Sequence, residues 1–506
     1  MSDLGPATLF GKVIHRWSSV DPHRLAFETD HDKLTYGQLE ELVRRAMKLL
    51  SAAGVRHGDR VLVHLAPSAE YVVSFLAIAE LGAVVVPLPT SIGADRFAYV
   101  TSITEARVCV HADGLEPPAG VARLPIAIDF ASARIHSASA ALDAQIPATA
   151  SGDDDAVILF SSGSTGRPKG VILKHRHLLA NVENLSTVFR LDRAHRDLII
   201  APMAHSDGLQ RVLSTLFAGG TVVAPTRPLA TNAILEFLPK HAVTGFFMPP
   251  PLLRLLWRSA PEAFREGTKT LRSIEFGSAP ITTAELERLL VEIPSAGIFL
   301  HYGLTECSRA IILDARAHSD KLGTVGRPAP GVEIRICDPN GTDLRTGQEG
   351  EIWLRGRQLT QGYWKLEDLT REKLAGGWLR TGDFGYLDAE GFLKLQGRHD
   401  DMITSAGFHF FPAEVEMELG AVPGVVDYLV AGVTDPHGIL EQVPWAFVVP
   451  SDRATWAPGA FLAFARSKLP SHMIPRAAIA VDELPLGASG KPDRRKAVEL
   501  YAKKSK

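Results

Sequence analysis

Apolar residues recur at helical spacing from Leu34 to Gly54, and the closing glycine marks a stop, so this stretch predicts an amphipathic helix. RVLVHL (Arg60 to Leu65) then predicts a strand, VVSFLAIAELG (Val72 to Gly82) a helix and AVVVPL (Ala83 to Leu88) another strand. The same rhythm returns further on. NAILEFLPKH, PPLLRLLWRSA and TAELERLLVEI predict helices, and VTGFFM, LRSIEFG and GIFLHYG predict the strands between them. Such alternation predicts mainly parallel sheets covered by helices.

The pattern changes after about Thr324. VEIRICDPNGTDL, GEIWLRG and WLRTGDFGYLDAEGFLKLQG are short β-rich runs joined by turn signals, which predict a compact subdomain of hairpins. After GRHDD (Gly397 to Asp401) the pattern is mixed again: PAEVEMELGAV and GAFLAFARSKL predict helices, VVDYLVAGV and PWAFVVP strands. The expected fold class is α/β, with a large N-terminal domain over residues 1–399 made of helix-covered, mainly parallel sheets plus a β-rich subdomain. A small, mobile α+β domain is expected over residues 400–506, joined by a charged turn that would serve as a hinge.

Composition narrows the class. The 506 residues are 46% hydrophobic and 22% charged, which suits a large folded core. A net charge of -3 argues against a general nucleic-acid binder. Cys109, Cys307 and Cys337 are too scattered for a disulfide framework or a zinc pattern, and they suit a reducing cytoplasm. The opening residues lack a basic region followed by an apolar core, so no secretory signal is expected. The closing KKSK is neither a peroxisomal address nor a lipidation box. The most apolar stretch, Tyr71 to Pro89, is interrupted by Glu80 and Gly82 and predicts a buried helix and strand, not a membrane span.

Candidate chemistry sits in the loops that follow strands. SSGSTGRPKG (Ser161 to Gly170) follows the apolar AVILF, and its glycines, hydroxyls and lysine suit a phosphate cradle. It lacks the spacing of a Walker loop and of the dinucleotide G-x-G-x-x-G pattern. A Ser/Gly-rich surface loop is the plain alternative. In HYGLTECS (His301 to Ser308), Tyr302 could stack on a base, Thr305 offers a hydroxyl and Glu306 a hard oxygen ligand for Mg²⁺. An ordinary strand-to-loop transition would read the same. FGSAP (Phe276 to Pro280) ends the preceding strand, and ligands in open α/β sheets gather beyond strand carboxyl ends. Asp383 in TGD could grip ribose hydroxyls, and Arg398 could reach phosphate or ribose oxygens, although an Asp after Gly in a turn is commonplace. PLGASGKPDRRKA places Lys491 in a Gly-rich turn, otherwise a solvated basic tail.

The order SSGSTGRPKG, PMAHSDG, GSAP, YGLTE, TGD, GRHDDMITSAGFHFFPAEVE, ASGK resembles the adenylate-forming superfamily of acyl-CoA synthetases, peptide-synthetase adenylation domains and beetle luciferases. The resemblance runs from about residue 10 to about residue 500 and is nearest to acyl- and aryl-CoA ligases. It implies ATP-dependent activation of a carboxylate as an acyl-adenylate, then displacement of AMP by a thiol. By this resemblance Ser161, Ser162, Gly163, Ser164, Thr165, Gly166 and Lys169 would hold the β- and γ-phosphates. Gly277, Ser278, Ala279, Pro280 and Tyr302 would hold adenine, and Asp383 and Arg398 the ribose. Thr305 would meet the α-phosphate and Glu306 would hold Mg²⁺. Lys491 would bridge the carboxylate and the α-phosphate. Asp400 would be the hinge between half-reactions, and Gly407 would lie near the pantetheine arm of coenzyme A.

His205 in PMAHSDG falls where acyl- and aryl-CoA synthetases place His or an aromatic residue near the carboxylate; a buried structural histidine is the alternative. Asp207 is out of register with the aspartate of amino-acid adenylation domains. FFMPP and LFAGG suggest an apolar acyl pocket, so an apolar or aromatic acid is the expected partner, with CoA or a separate carrier protein as acceptor. TSAGFHF departs from the family pattern, since Ala406 replaces a glycine and Thr404 stands where a lysine is common. That departure leaves open an enzyme that performs one half-reaction or serves a different acceptor. A silent nucleotide-binding protein is the reading from another class, and the retained Lys169, Glu306, Asp383, Arg398 and Lys491 speak against it.

Overall fold

The computed structural model describes residues 8–112, 120–136, 150–161, 168–398, 401–405, 408–435, 441–487 and 492–501. Two helix-covered sheets form most of it. The larger has nine strands in the order Arg327–Pro328, Ile311–Asp314, Gly297–Tyr302, Ser273–Phe276, Gly245–Phe247, Arg196–Leu198, Thr221–Val223, Leu25–Glu28, Lys33–Thr35. Its six inner strands are parallel and antiparallel strands close both edges. The second sheet has seven strands, in the order Gly362–Tyr363, Lys169–Lys174, Asp155–Ser161, Val84–Pro87, Arg60–His64, Val108–His111, Ala122–Pro125. Five of these run parallel, and Lys169–Lys174 turns back antiparallel on Asp155–Ser161.

Local chemistry accounts for the covering helices. Tyr36–Ala52 starts at Thr35, whose side chain accepts from Gln38 N–H while Gln38 answers the Thr35 N–H, a reciprocal cap. Ala69–Glu80 is capped by Ser68 and almost wholly buried, which explains its apolar character all round. The membrane-like stretch is therefore this helix followed by the core strand Val84–Pro87. Among the described residues no helix is long and apolar enough to cross a membrane.

The expected hairpin region is an antiparallel sheet of Val332–Cys337, Gly350–Gly356, Trp378–Leu387 and Leu374–Ala375, with Leu393–Arg398 paired to Trp378–Leu387. The C-terminal segment carries the three-stranded sheet Val425–Thr434, Gln442–Pro450 and Ala477–Ala480, flanked by helices Pro412–Leu419 and Pro458–Lys468. Phe410, Val415, Val430, Ala446 and Phe461 give it an apolar core of its own. Asp400 and Gly407 lie outside the described residues.

Candidate active site

Parallel strands that end on one side deliver their loops to one place. Strands Arg196–Leu198, Gly245–Phe247, Ser273–Phe276 and Gly297–Tyr302 release their chains into the wall of a cavity of about 1050 Å³. Ser161 and Lys169 from the second sheet, Thr381 to Phe384 and Arg398 from the hairpin sheet, and Ala413, Met417 and Pro492 from the C-terminal segment complete the wall.

Most of the sequence-derived candidates meet here. His205, Ser278, Ala279, Pro280, Tyr302, Thr305, Glu306, Asp383 and Arg398 all line this cavity, as do Ser161 and Lys169. The last two are directly paired across adjacent antiparallel strands. Ser162, Gly163, Ser164, Thr165, Gly166 and Lys491 lie outside the described residues. Gly277 is held against the site by necessity: a Cβ there would stand 2.2 Å from His301 Cε1. Ser278 adopts a left-handed backbone at φ 66°, uncommon for a residue with a side chain.

Tyr302 and Asp383 are 81 positions apart, yet the buried phenol donates to Asp383 Oδ2 at 2.7 Å. Burial first, then the Asp383 carboxylate, push that phenol well above its usual range, so it stays a donor. Arg398 Nε lies 3.5 Å from Asp383 Oδ1, its side chain half exposed. The carboxylate is thus oriented from one side, with Gly382 at φ 74° making the turn that presents it. Glu306 is oriented in the same way, by the Tyr363 hydroxyl at 2.8 Å. Among the described residues no group of three or more His, Cys, Asp or Glu side chains could hold a metal ion. A single carboxylate such as Glu306 still fits Mg²⁺, which takes one or two protein carboxylates and completes its shell with phosphate and water. His205 stands at the N-cap of helix Ser206–Phe217.

Beneath the cavity is a charge network that sequence reasoning passed over. Arg211 donates to Asp197 Oδ2 at 2.8 Å and to Glu275 Oε2 at 2.6 Å. Arg309, fully buried, also donates to Glu275 and reaches the Asp207 carbonyl at 3.3 Å. His301 bridges the two acids, its Nδ1 2.7 Å from Glu275 Oε1 and its Nε2 3.6 Å from Asp207 Oδ1. Three acids face three cations when His301 is protonated. Burial opposes charge at each of these groups. For Glu275 the Arg309 and His301 charges win and hold its carboxyl far below the usual range; for His301, Glu275 and Asp207 win and raise its pKa. A signal was present: SIEF, DLII and SRAIIL each set one charge in an otherwise apolar strand or its flank.

The signs set a pH window. Glu275, depressed, contributes stability above its ordinary value of 4.5 that is lost as pH falls. His301, raised, contributes stability that is fully present below 6.5 and lost as pH rises through its folded value. We expect the wild type to lose melting temperature between pH 6 and pH 9, and His301→Gln to lose less over the same interval in thermal denaturation. Parallel profiles for the two proteins would remove His301 from the balance. Cys109 and Cys307 play no comparable part: burial pushes both thiols up to about 12, which leaves them inert.

Comparison with known proteins identifies the family. The AMP-binding enzyme family matches residues 14–364, and the AMP-binding enzyme C-terminal domain matches residues 414–491. Feruloyl-CoA synthase of Amycolatopsis sp. is 33% identical over 489 residues, covering 94% of this chain and 96% of that enzyme. The 2-succinylbenzoate–CoA ligase of Bacillus velezensis is 31% identical over 488 residues, covering 96% of each. Among solved structures, ATP-bound MatB from Rhodopseudomonas palustris superposes with a TM-score of 0.87 at 28% identity, over 99% of this chain and 100% of that one. MenE from Bacillus subtilis, in complex with its acyl-adenylate intermediate, gives 0.85 at 27% identity over 96% and 97%. The chain belongs to the AMP-binding enzyme family.

Proposed function

We propose that this protein is an ATP-dependent carboxylic acid–CoA ligase. In the first half-reaction a carboxylate oxygen attacks the α-phosphorus of ATP, forming the acyl-adenylate and releasing pyrophosphate. In the second, the CoA thiol attacks the acyl carbon, AMP leaves, the thioester forms and the thiol proton is released. The observation that carries the reading is the oriented Tyr302–Asp383–Arg398 group, which shares one cavity with Glu306, Thr305 and Lys169.

Each residue has a task that its surroundings support. Asp383, held by Tyr302, has lone pairs suited to two ribose hydroxyls, with Arg398 beside it. The Gly277 to Pro280 turn would lie against the adenine. Ser161 and Lys169, with Ser162 to Gly166 between them, would hold the leaving pyrophosphate, and Thr305 would meet the α-phosphate. Glu306 would hold Mg²⁺, which neutralises phosphate charge when bound. His205 would orient the substrate carboxylate. Pro492 lines the cavity, which supports a role for its neighbour Lys491 in bridging the carboxylate and the α-phosphate. Removal of that lysine between half-reactions, about a hinge at Asp400, would admit the thiol with Gly407 near the pantetheine arm. We further propose that residues 1–399 and 400–506 are the two moving bodies.

A second acceptor has one observation in its favour. An amide bond synthetase, McbA from Marinactinospora thermotolerans, superposes with a TM-score of 0.85 at 26% identity, so similar folds do not all carry the name of a CoA ligase. A carrier protein is the remaining option. Two linked assays decide: acid-dependent ATP–pyrophosphate exchange over a panel of acids, then AMP release on addition of CoA. Exchange followed by CoA-dependent thioester is the expected result. Exchange without thioester would reassign the acceptor, and no exchange with any acid would reject the function.

A further inference from the structure

We propose that the acid activated here carries a neutral hydroxyl on its carbon frame, separate from the reacting carboxylate, and that Asp207 accepts its hydrogen bond. The inference rests on the ligase reading above and adds a substrate class to it.

Asp207 stands in the first turn of helix Ser206–Phe217; its side chain retains 26% exposure, and the residue lines the cavity. Phe247, Leu252 and Ile281 are apolar members of the same cavity wall. His301 closes that part of the wall by lying over Gly277. Asp207 Oδ2 accepts from Ser278 Oγ at 2.9 Å. Among the described residues Oδ1 has two longer contacts, His301 Nε2 at 3.6 Å and Arg309 Nη2 at 3.8 Å. Burial works against its charge, yet His301 and Arg309 hold the carboxyl far below its usual range, so it is an acceptor and not a donor.

An acid filling the cavity displaces water from Oδ1. A purely apolar frame would leave a charged acceptor dry and short of hydrogen bonds, which is costly. A hydroxyl in that place restores the missing bond. With His301 protonated, the three acids and three cations of the network balance, so an ammonium or a second carboxylate would add a buried charge without a partner. Ser308 Oγ is a further polar atom in this wall: it is buried, lines the cavity and has no hydrogen-bond partner among the described residues.

The test uses matched acids in ATP–pyrophosphate exchange: 3- and 4-hydroxybenzoate against benzoate, 4-hydroxycinnamate against 4-methylcinnamate, and 6-hydroxyhexanoate against hexanoate, 6-aminohexanoate and adipate. The wild type should favour at least one hydroxylated member over its partner by about tenfold or more in kcat/KM. Asp207→Ala should collapse that ratio, and Ser278→Ala should change it less. Binding of AMP to each variant, followed by thermal shift, shows whether the nucleotide site remains folded. Exchange with equal preference, a preference for the amine or the diacid, or a ratio that survives Asp207→Ala in a folded protein overturns the inference alone. No exchange with any acid overturns the ligase reading and the inference with it.

Discussion

Lys491→Ala lowers acid-dependent ATP–pyrophosphate exchange by about 10²–10³-fold, the range for removing one preorganised charge from a developing oxyanion. Thioester formation from supplied acyl-adenylate should fall by less than about threefold, because an interaction made only in the first transition state affects only that step. The asymmetry follows from the chemistry. In the first half-reaction negative charge gathers on the α-phosphate as two anions approach, and a cation between them offsets the repulsion. In the second, a thiol meets an acyl carbon and no phosphorus centre is attacked. Equal losses in both assays would remove Lys491 from that role.

Arg309→Leu should destabilise the large domain by about 3–5 kcal/mol, the cost of breaking a buried charge pair from one side. Arg309 is fully buried and serves Glu275 directly and the Asp207 carbonyl. Leucine fills part of the volume but leaves Glu275 and Asp207 with less compensating charge. Adding Glu275→Gln to Arg309→Leu should recover part of the loss, since two removals that balance cost less than one that does not. Urea denaturation of the two variants beside wild type gives the comparison. An Arg309→Leu midpoint equal to wild type would show that the network carries no net stability.

The alternation of helix and strand was legible because each element has its own period. Leu34 to Gly54 resolved into the capped helix Tyr36–Ala52, and LRSIEFG and GIFLHYG into neighbouring parallel strands. The spatial order was not legible. Leu25–Glu28 lies beside Thr221–Val223, nearly two hundred residues on, and no local pattern marks that pairing. Candidate residues that line the cavity were readable where composition is unusual, as in YGLTE and TGD. Their mutual support was not, since the Tyr302–Asp383 bond depends on two sheets meeting. Asp197, Arg211, Glu275 and Arg309 were hidden for the same reason: a charge in an apolar run shows only that a partner exists. Asp207 was set aside on register, although this cavity-lining residue is the feature that most narrows the substrate.

The central claim is that a carboxylate oxygen attacks the α-phosphorus of ATP. A turnover with an acid labelled by ¹⁸O in both carboxylate oxygens tests it most directly, with mass spectrometry of the nucleotide and phosphate products. The account predicts one ¹⁸O in the phosphate of AMP, with pyrophosphate unlabelled. Label in inorganic phosphate together with ADP would place the attack at the γ-phosphorus and contradict it.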